Sequence, residues 1–243
     1  SRNSTVFLGG DSNGALQNTK WWSALGAFFT DGSLEFSVDG LADTHALHRI
    51  GTDYHKVIAN IEAFAAAGGV AHWKFILFKH NEHQIEEAEK KARQIGCRRF
   101  FVIPSRDYDA ALQKPEKIDF QLKRDIFRAY DEKVASSQAK TTCKPLQNGS
   151  IYLAADGTVH PCCYAHCMYI TEHNASFDFL PPLAHKYYDT INFKTTNLEE
   201  ILKGPYFNQI LEESKKNAYC RLKCNQFRKT IKGELVLIDR QLQ

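Results

Sequence analysis

Long apolar runs are missing from this sequence of 243 residues. No stretch approaches the roughly 18 to 20 consecutive apolar residues that a membrane-spanning helix needs. The amino-terminal residues also lack the charged and then apolar order of a signal peptide, so we expect neither membrane insertion nor secretion. A large excess of charge is missing too, because 31 basic and 28 acidic residues leave a formal net charge of +3. That balance gives no reason to expect nucleic acid as a partner.

Cysteine is the most informative residue type in the composition. Six of the seven cysteines follow residue 142. An odd number of cysteines crowded into one part of a chain favours a metal site in a reducing compartment over a disulfide framework. We take that compartment to be the cytoplasm.

The first 104 residues alternate strand-like apolar runs with amphipathic segments of helical period. Asn81, followed three residues later by Gln84, has the pattern of a capping box, which predicts that the Asn81 side chain caps the third helix. Such alternation is typical of βαβ units and of a parallel sheet. The predicted strands are 6–8, 34–38, 71–78 and 99–103, and the predicted helices are 19–29, 54–67 and the one that follows Asn81.

The rest of the chain has a different organisation. Residues 105–142 are charged and contain one predicted helix, 120–134, which we interpret as a connector. Residues 143–243 are rich in loops and poor in apolar runs, so we predict a small α+β domain that depends on a cross-link through its cysteines. Its predicted elements are a hairpin of strands 151–153 and 158–160, a helix capped by Asn197 and a helix that starts at Pro205.

The cysteines of this third segment have a defined spacing. Cys143 and Cys162 flank the predicted hairpin as C-x13-G-x4-C, and Cys220 and Cys224 follow as C-x3-C. A hairpin returns the chain to its start, and Gly157 supplies the positive φ that its turn needs. Four thiolates can then surround a soft metal centre, either an iron–sulfur cluster or Zn²⁺. The alternative is that the cysteines are only small buried apolar residues.

The cysteine pattern resembles the auxiliary-cluster domain, of the SPASM or twitch type, that follows the barrel of many radical S-adenosylmethionine enzymes. The resemblance extends from about residue 5 to 224 and implies a partial (β/α) barrel with parallel strands, followed by the cysteine-rich domain. In the first half it is carried by segments similar to the third and fourth strand regions of that barrel. These are Ser12-Asn13-Gly14 before Trp21-Trp22, Phe36-Ser37-Val38-Asp39-Gly40, His48-Arg49-Ile50-Gly51-Thr52, Trp73-Lys74-Phe75-Ile76 and Asn81-Glu82-His83-Gln84.

The resemblance also implies site residues and cofactors. A [4Fe–4S] cluster would be bound by Cys143, Cys162, Cys220 and Cys224, with Zn²⁺ as an aerobic substitute. S-adenosylmethionine would lie near Asn13, Ser37, Asp39 and Arg49, because ligands bind at the carboxyl ends of barrel strands. Arginine holds carboxylates well through its planar fork. The alternative is a strand-ending turn capped by Asp39, with Arg49 on the surface.

One feature of the family is absent from the sequence. The C-x3-C-x2-C loop, which holds the cluster that cleaves S-adenosylmethionine, does not occur, nor does the glycine-rich motif of the second barrel strand. The chain starts at what resembles the third strand region of that barrel, so we expect it to be the latter part of a longer enzyme. S-adenosylmethionine is expected only in that intact enzyme, and whether this chain is itself an enzyme stays open.

Two hypotheses about function follow. The resemblance implies a fragment of a radical S-adenosylmethionine oxidoreductase or maturase that carries an auxiliary iron–sulfur cluster and modifies a peptide or a small metabolite. The alternative is a non-catalytic four-cysteine module, with zinc or an iron–sulfur cluster, that presents a surface to a partner.

Some cysteines and histidines remain outside the predicted ligand set. Cys163 and Cys167 could ligate a second site, replace Cys162 or have no ligand role, and we choose Cys162 because adjacent cysteines rarely bind one metal. Cys97 follows a helix-ending glycine and is expected to be buried and inert. Five of the ten histidines lie nearest to the predicted strand ends or the cysteine loop, namely His72, His80, His83, His160 and His166. Each is expected to be structural or exposed, and His166 is the one candidate substitute ligand for Zn²⁺.

Overall fold

The computed structural model of the chain describes residues 7–105, 108–117, 143–170, 186–216, 220, 224 and 236–242. The chain divides into two compact units. The first contains residues 1–124 and 233–243, and the second contains residues 125–232. The predicted boundaries at 104 and 142 remain predictions.

Strands and short helices alternate along the described residues. The first unit begins with β1 (Leu8–Ser12), α1 (Thr19–Phe28), β2 (Gly32–Ser37), α2 (His45–His48), α3 (Tyr54–Ala66), β3 (Ala71–Leu77), α4 (Ile85–Gln94) and β4 (Arg99–Pro104). The second unit contains α5 (Lys144–Asn148), β5 (Tyr152–Leu153), β6 (Val159–His160), α6 (Cys163–Ile170), α7 (Leu198–Lys203) and α8 (Pro205–Lys216), and the chain then returns to the first unit with β7 (Ile238–Gln241).

Five of the described strands form one sheet in the order β1-β2-β3-β4-β7. The first four are parallel, and β7 pairs antiparallel with β4. A parallel sheet whose strand order follows the chain order is the arrangement of a barrel segment, because each βα unit adds its strand beside the previous one. The prediction of an α/β fold with parallel strands is confirmed.

The core of the first unit lies between one face of this sheet and helices α1, α3 and α4. Alternate residues of β3 are buried, including Trp73 and Phe75, as the two-residue period of a strand requires. The ring of Phe64 on α3 meets Phe36 on β2 edge to face, with centroids 5.5 Å apart. Burial of each such side chain stabilises the unit by about 1.5–3 kcal/mol.

Two details of the first unit differ from the predictions. The first strand is Leu8–Ser12 and not 6–8. The side chain of Asn81 does not cap a helix; its Oδ1 accepts a hydrogen bond from Phe78 N at 2.8 Å, and its Nδ2 donates to the Asp39 carbonyl at 3.2 Å. Asn81 is fully buried, so its amide satisfies backbone groups of the core and the capping-box prediction is wrong.

The second unit has its own apolar cluster, which includes Val159, Ile201 and Tyr206. The predicted cap is confirmed, because the Asn197 side chain accepts from Glu199 N at 2.8 Å, and α8 starts at Pro205 as predicted. The predicted helix 120–134 lies outside the described residues. No helix in the described part of the chain is both long and apolar enough to span a bilayer.

Candidate metal centre and strand-end site

The hairpin of the second unit turns at Gly157. Leu153 on β5 pairs with Val159 on β6, and Gly157 has a φ of +96°, which confirms the predicted positive angle. A Cβ at this position would lie 2.7 Å from Oδ1 of Asn192. Glycine is therefore required both by the backbone angle and by the neighbouring amide.

Cys162 lies directly before α6, at the position of its N-cap. Its Sγ accepts a hydrogen bond from Ala165 N at 3.4 Å, so the free N–H groups of the first helical turn point at the sulfur. A thiolate is favoured at a helix amino terminus because the peptide dipoles there are positive. The neighbouring Cys163 is exposed, and the choice of Cys162 as the ligand stays a prediction.

Cys224 N donates a hydrogen bond to the Cys220 carbonyl at 2.7 Å, so the two residues of the C-x3-C pair lie close together. Burial raises the pKa of Cys220 to about 12, and the charges of Cys224, Cys162 and Cys143 add to this. Burial likewise raises the pKa of Cys162 to about 11, with Cys224 among its neighbours. Cys220 thus lies within electrostatic range of each of the other three predicted ligands.

These four thiols are suitable ligands for a soft metal, but the structure does not arrange them around one point. Among the described residues, no three His, Cys, Asp or Glu side chains stand together in a metal-binding arrangement. Burial raises the pKa of Cys162 and of Cys220, so these two thiols stay protonated near neutral pH when no metal is bound. A metal cation reverses that preference by stabilising thiolates, and its binding then releases protons.

His166 lies next to this region. Its ring centroid is 5.1 Å from that of His160 and 5.4 Å from that of Tyr152. Its role as a substitute zinc ligand stays a prediction. The side chain of Cys167 lies outside the described residues, whereas Cys97 is buried in the first unit, as predicted, and burial raises its pKa to about 12.

A second group of polar side chains lies where β2 ends. Asp39 is fully buried, and its Oδ1 accepts from Ile76 N at 2.8 Å. Its Oδ2 lies 2.5 Å from Arg49 Nε and 2.7 Å from His48 Nδ1. A carboxylate only accepts hydrogen bonds, so both neighbours donate to it. These contacts make Asp39 a positioning group for Arg49 and His48.

The other predicted cofactor residues lie at the same edge of the sheet, because the carboxyl ends of parallel strands meet there. Ser37 is the last residue of β2 and is buried. Asn13 follows β1, is exposed, and accepts a hydrogen bond from Ala15 N at 3.1 Å within its own turn. The contact of Asn13, Ser37, Asp39 and Arg49 with a cofactor stays a prediction.

Sequence reasoning missed His45 and His48 in this group. His45 is fully buried; its Nδ1 accepts from Asp39 N at 3.3 Å, and its Nε2 lies 3.0 Å from Thr52 Oγ1. The Thr52 hydroxyl donates to the Arg49 carbonyl at 2.5 Å, so it accepts from His45 and fixes the neutral tautomer. The spacing of three residues between the histidines was the available signal, because it places both on one side of a helical turn.

Comparison with known proteins bears on the second unit. Residues 143–225 match the family model of SPASM, an iron–sulfur cluster-binding domain. No curated protein sequence matches the chain. The solved structures similar to it include SuiB from Streptococcus suis bound to S-adenosylmethionine, with 14% identity, a TM-score of 0.42, and coverage of 74% of this chain and 48% of that chain.

Two further crystal structures of Streptococcus suis SuiB are similar to the chain. One is SuiB without a named ligand, with 13% identity, a TM-score of 0.42, and coverage of 88% of this chain and 54% of that one. The other is SuiB bound to its precursor peptide SuiA, with 12% identity, a TM-score of 0.40, and coverage of 88% and 53%. The chain thus spans about half the length of these structures.

The family match confirms the prediction made from the cysteine spacing. The residues that match the model of the SPASM iron–sulfur cluster-binding domain, 143–225, include all four predicted ligands. The match ends before β7, which lies in the sheet of the first unit, although the predicted third segment runs to residue 243.

Proposed function

We propose that the chain is the auxiliary-cluster part of a radical S-adenosylmethionine oxidoreductase or maturase, and that its SPASM-type domain holds a [4Fe–4S] cluster. The observation that carries this proposal is the match of residues 143–225 to the SPASM model, because this segment contains all four predicted ligands. The parallel βα array of the first unit, with Asp39 and Arg49 at its strand ends, supports the barrel part. The similarity to SuiB is too low to add support.

A cluster bound by these cysteines would accept an electron from the substrate or would anchor the substrate. The chain's own residues determine how it is held: four cysteines supply thiolates, and N–H groups at the start of α6 donate to the Cys162 sulfur. Such hydrogen bonds and the burial of the sulfurs tune the reduction potential of an iron–sulfur centre.

We further propose that the protein works in the cytoplasm on a peptide or a small metabolite. The odd number of cysteines, six of them crowded after residue 142, supports a reducing compartment. SuiB binds a precursor peptide, but a TM-score of 0.40 gives this chain no preference between the two substrate classes.

The test is metal analysis of the full chain after anaerobic reconstitution. The wild-type protein is expected to hold about four iron and four sulfide per chain. Cys143→Ala and Cys220→Ala should lose most of that content, whereas Cys97→Ala, in the core of the first unit, should keep it. Full metal content in both ligand variants contradicts the proposal. So does metal-free wild-type protein with a Cys143–Cys162 disulfide.

The same analysis tests the non-catalytic alternative and the choice of ligand. Zinc without iron, even after anaerobic reconstitution, would favour a structural four-cysteine module. Cys162→Ala should lose the metal and Cys163→Ala should keep it, because Cys163 is the exposed neighbour. The reverse result would move the ligand assignment to Cys163.

A further inference from the structure

A line of hydrogen bonds crosses the interior of the second unit. Tyr206 Oη lies 2.8 Å from His160 Nδ1, and His160 Nε2 lies 2.8 Å from Thr158 Oγ1. The Thr158 hydroxyl donates to Asp156 Oδ1 at 2.6 Å. Thr158 and His160 have no exposed surface, and Tyr206 is 1% exposed.

The hydrogen positions along this line are determined by its two ends. Because Thr158 donates to a carboxylate, its oxygen accepts from His160 Nε2–H, and His160 Nδ1 then accepts from the Tyr206 hydroxyl. Every buried donor in the line has an acceptor, which makes the arrangement specific.

The line joins the two parts of the chain that carry the predicted ligands. Asp156, Thr158 and His160 belong to the hairpin, and Cys162 follows two residues later. Tyr206 is in the first turn of α8, the helix that precedes Cys220 and Cys224. The apolar cluster around Val159 and Ile201 holds these parts together but has no directional preference. The hydrogen bond between His160 and Tyr206 is directional, so it orients the hairpin relative to α8.

We propose that His160, through its hydrogen bond to Tyr206, is a positioning residue of the iron–sulfur site that fixes the hairpin preceding Cys162 against α8, the helix that precedes Cys220 and Cys224. This inference rests on the proposed function and extends it. Nothing in the cysteine spacing or in the family match assigns a role to His160 or Tyr206. Residues outside the ligand set that orient ligands typically change metal affinity by about 10–100-fold.

Tyr206→Phe is the sharpest test, because it removes one oxygen and keeps the ring in the apolar cluster. The cluster is reconstituted anaerobically in the full chain, and loss of iron to bathophenanthroline disulfonate is followed by absorbance. Iron should leave Tyr206→Phe about 10-fold faster than the wild-type protein. The electron paramagnetic resonance spectrum of the reduced cluster should also change, since the geometry of the ligands differs.

Tyr187→Phe is the matched control. The Tyr187 hydroxyl donates to Gln209 Oε1 at 3.1 Å, so this variant also removes one tyrosine hydrogen bond to α8 but leaves the hairpin line intact. It should release iron at the wild-type rate with an unchanged spectrum. If Tyr187→Phe and Tyr206→Phe accelerate release equally, the effect is general loosening of the fold and the inference is wrong.

A pair of His160 variants separates hydrogen bonding from packing. His160→Gln keeps one acceptor and one donor and should retain iron, whereas His160→Leu removes both and should lose it as fast as Tyr206→Phe. Equal loss from both would mean that the ring shape matters and would overturn the inference. So would wild-type release rates in His160→Leu and Tyr206→Phe. A wild-type protein that binds no metal would instead overturn the proposed function, and this inference with it.

Discussion

Arg49 Nε lies 2.5 Å from Oδ2 of Asp39, whose side chain has no exposed surface, while that of Arg49 is 23% exposed. The pair joins the end of β2 to the residue that follows α2. A buried carboxylate is tolerated only when it is paired and fully hydrogen-bonded, and Asp39 meets both conditions through Arg49, His48 and Ile76 N. The strand-end site is thus held by the same contacts that stabilise this part of the first unit.

Asp39→Asn is expected to destabilise the first unit strongly. The amide keeps the shape but leaves the Arg49 guanidinium without its counter-charge, and breaking such a buried pair costs about 3–5 kcal/mol. Urea unfolding followed by tryptophan fluorescence measures it, because Trp21, Trp22 and Trp73 all lie in this unit. Asp31→Asn, on the exposed surface, is the control. Equal unfolding free energies for the two variants would contradict the structural role of Asp39.

His45 should make the stability of the first unit depend on pH. Burial lowers its pKa, aided by Arg49 and His48 and opposed by Asp39. The unfolded chain therefore takes up this proton first, so stability is lost as the pH falls below about 6.5 towards the folded pKa. Protonation of Nδ1 also removes the acceptor for Asp39 N.

The measurement for His45 is the unfolding free energy between pH 7 and pH 5. His45→Gln should show a shallower pH dependence than the wild-type protein, and His83→Gln, at an exposed position, should keep the wild-type slope. His72 and His80 also have lowered pKa values, chiefly through burial, so the slope will decrease without vanishing. An unchanged slope in His45→Gln would rule out this account.

Gly157→Ala should weaken the second unit and its hold on metal. The residue has a φ of +96°, and a Cβ would lie 2.7 Å from Asn192 Oδ1. Gly149→Ala is a matched control, since Gly149 has a φ of +61° but open space around it. The backbone angle alone costs about 1–2 kcal/mol in either variant, so any excess in Gly157→Ala reports the clash.

Thermal unfolding and iron content after reconstitution measure both glycine variants. Gly157→Ala should have the lower melting temperature and the lower iron content, because only its Cβ would clash with Asn192 in the hairpin turn that precedes Cys162. If the two variants behave alike, the contact with Asn192 has no influence on the hairpin.

The chain as given should not cleave S-adenosylmethionine. Three cysteines on one loop are needed to hold a cluster with an open iron, and the first 142 residues contain only Cys97. Incubation of the reconstituted chain with S-adenosylmethionine and dithionite should give no 5′-deoxyadenosine above a control without protein. Product above that background would mean that another trio, such as Cys162, Cys163 and Cys167, performs this reaction.

The sequence by itself determined the features that depend on residues close together in the chain. The alternation of strands and helices predicted the parallel sheet, and the turn at Gly157, the cap at Asn197 and the helix start at Pro205 followed from local backbone chemistry. The spacing of the cysteines predicted a metal-binding domain, because Cys143 and Cys162 flank a hairpin and Cys220 and Cys224 form a C-x3-C pair.

Only the tertiary structure decided which polar groups far apart in the chain form hydrogen bonds and ion pairs with each other. Asn81 has a local capping pattern, yet its amide binds the Asp39 carbonyl 42 residues away, because a buried polar side chain has to satisfy the groups around it. His160 meets Tyr206 across 46 residues, and Arg99 pairs with Asp239 across 140. Such contacts form only when packing has brought distant segments together, and no periodic pattern in the sequence shows which distant residues will meet.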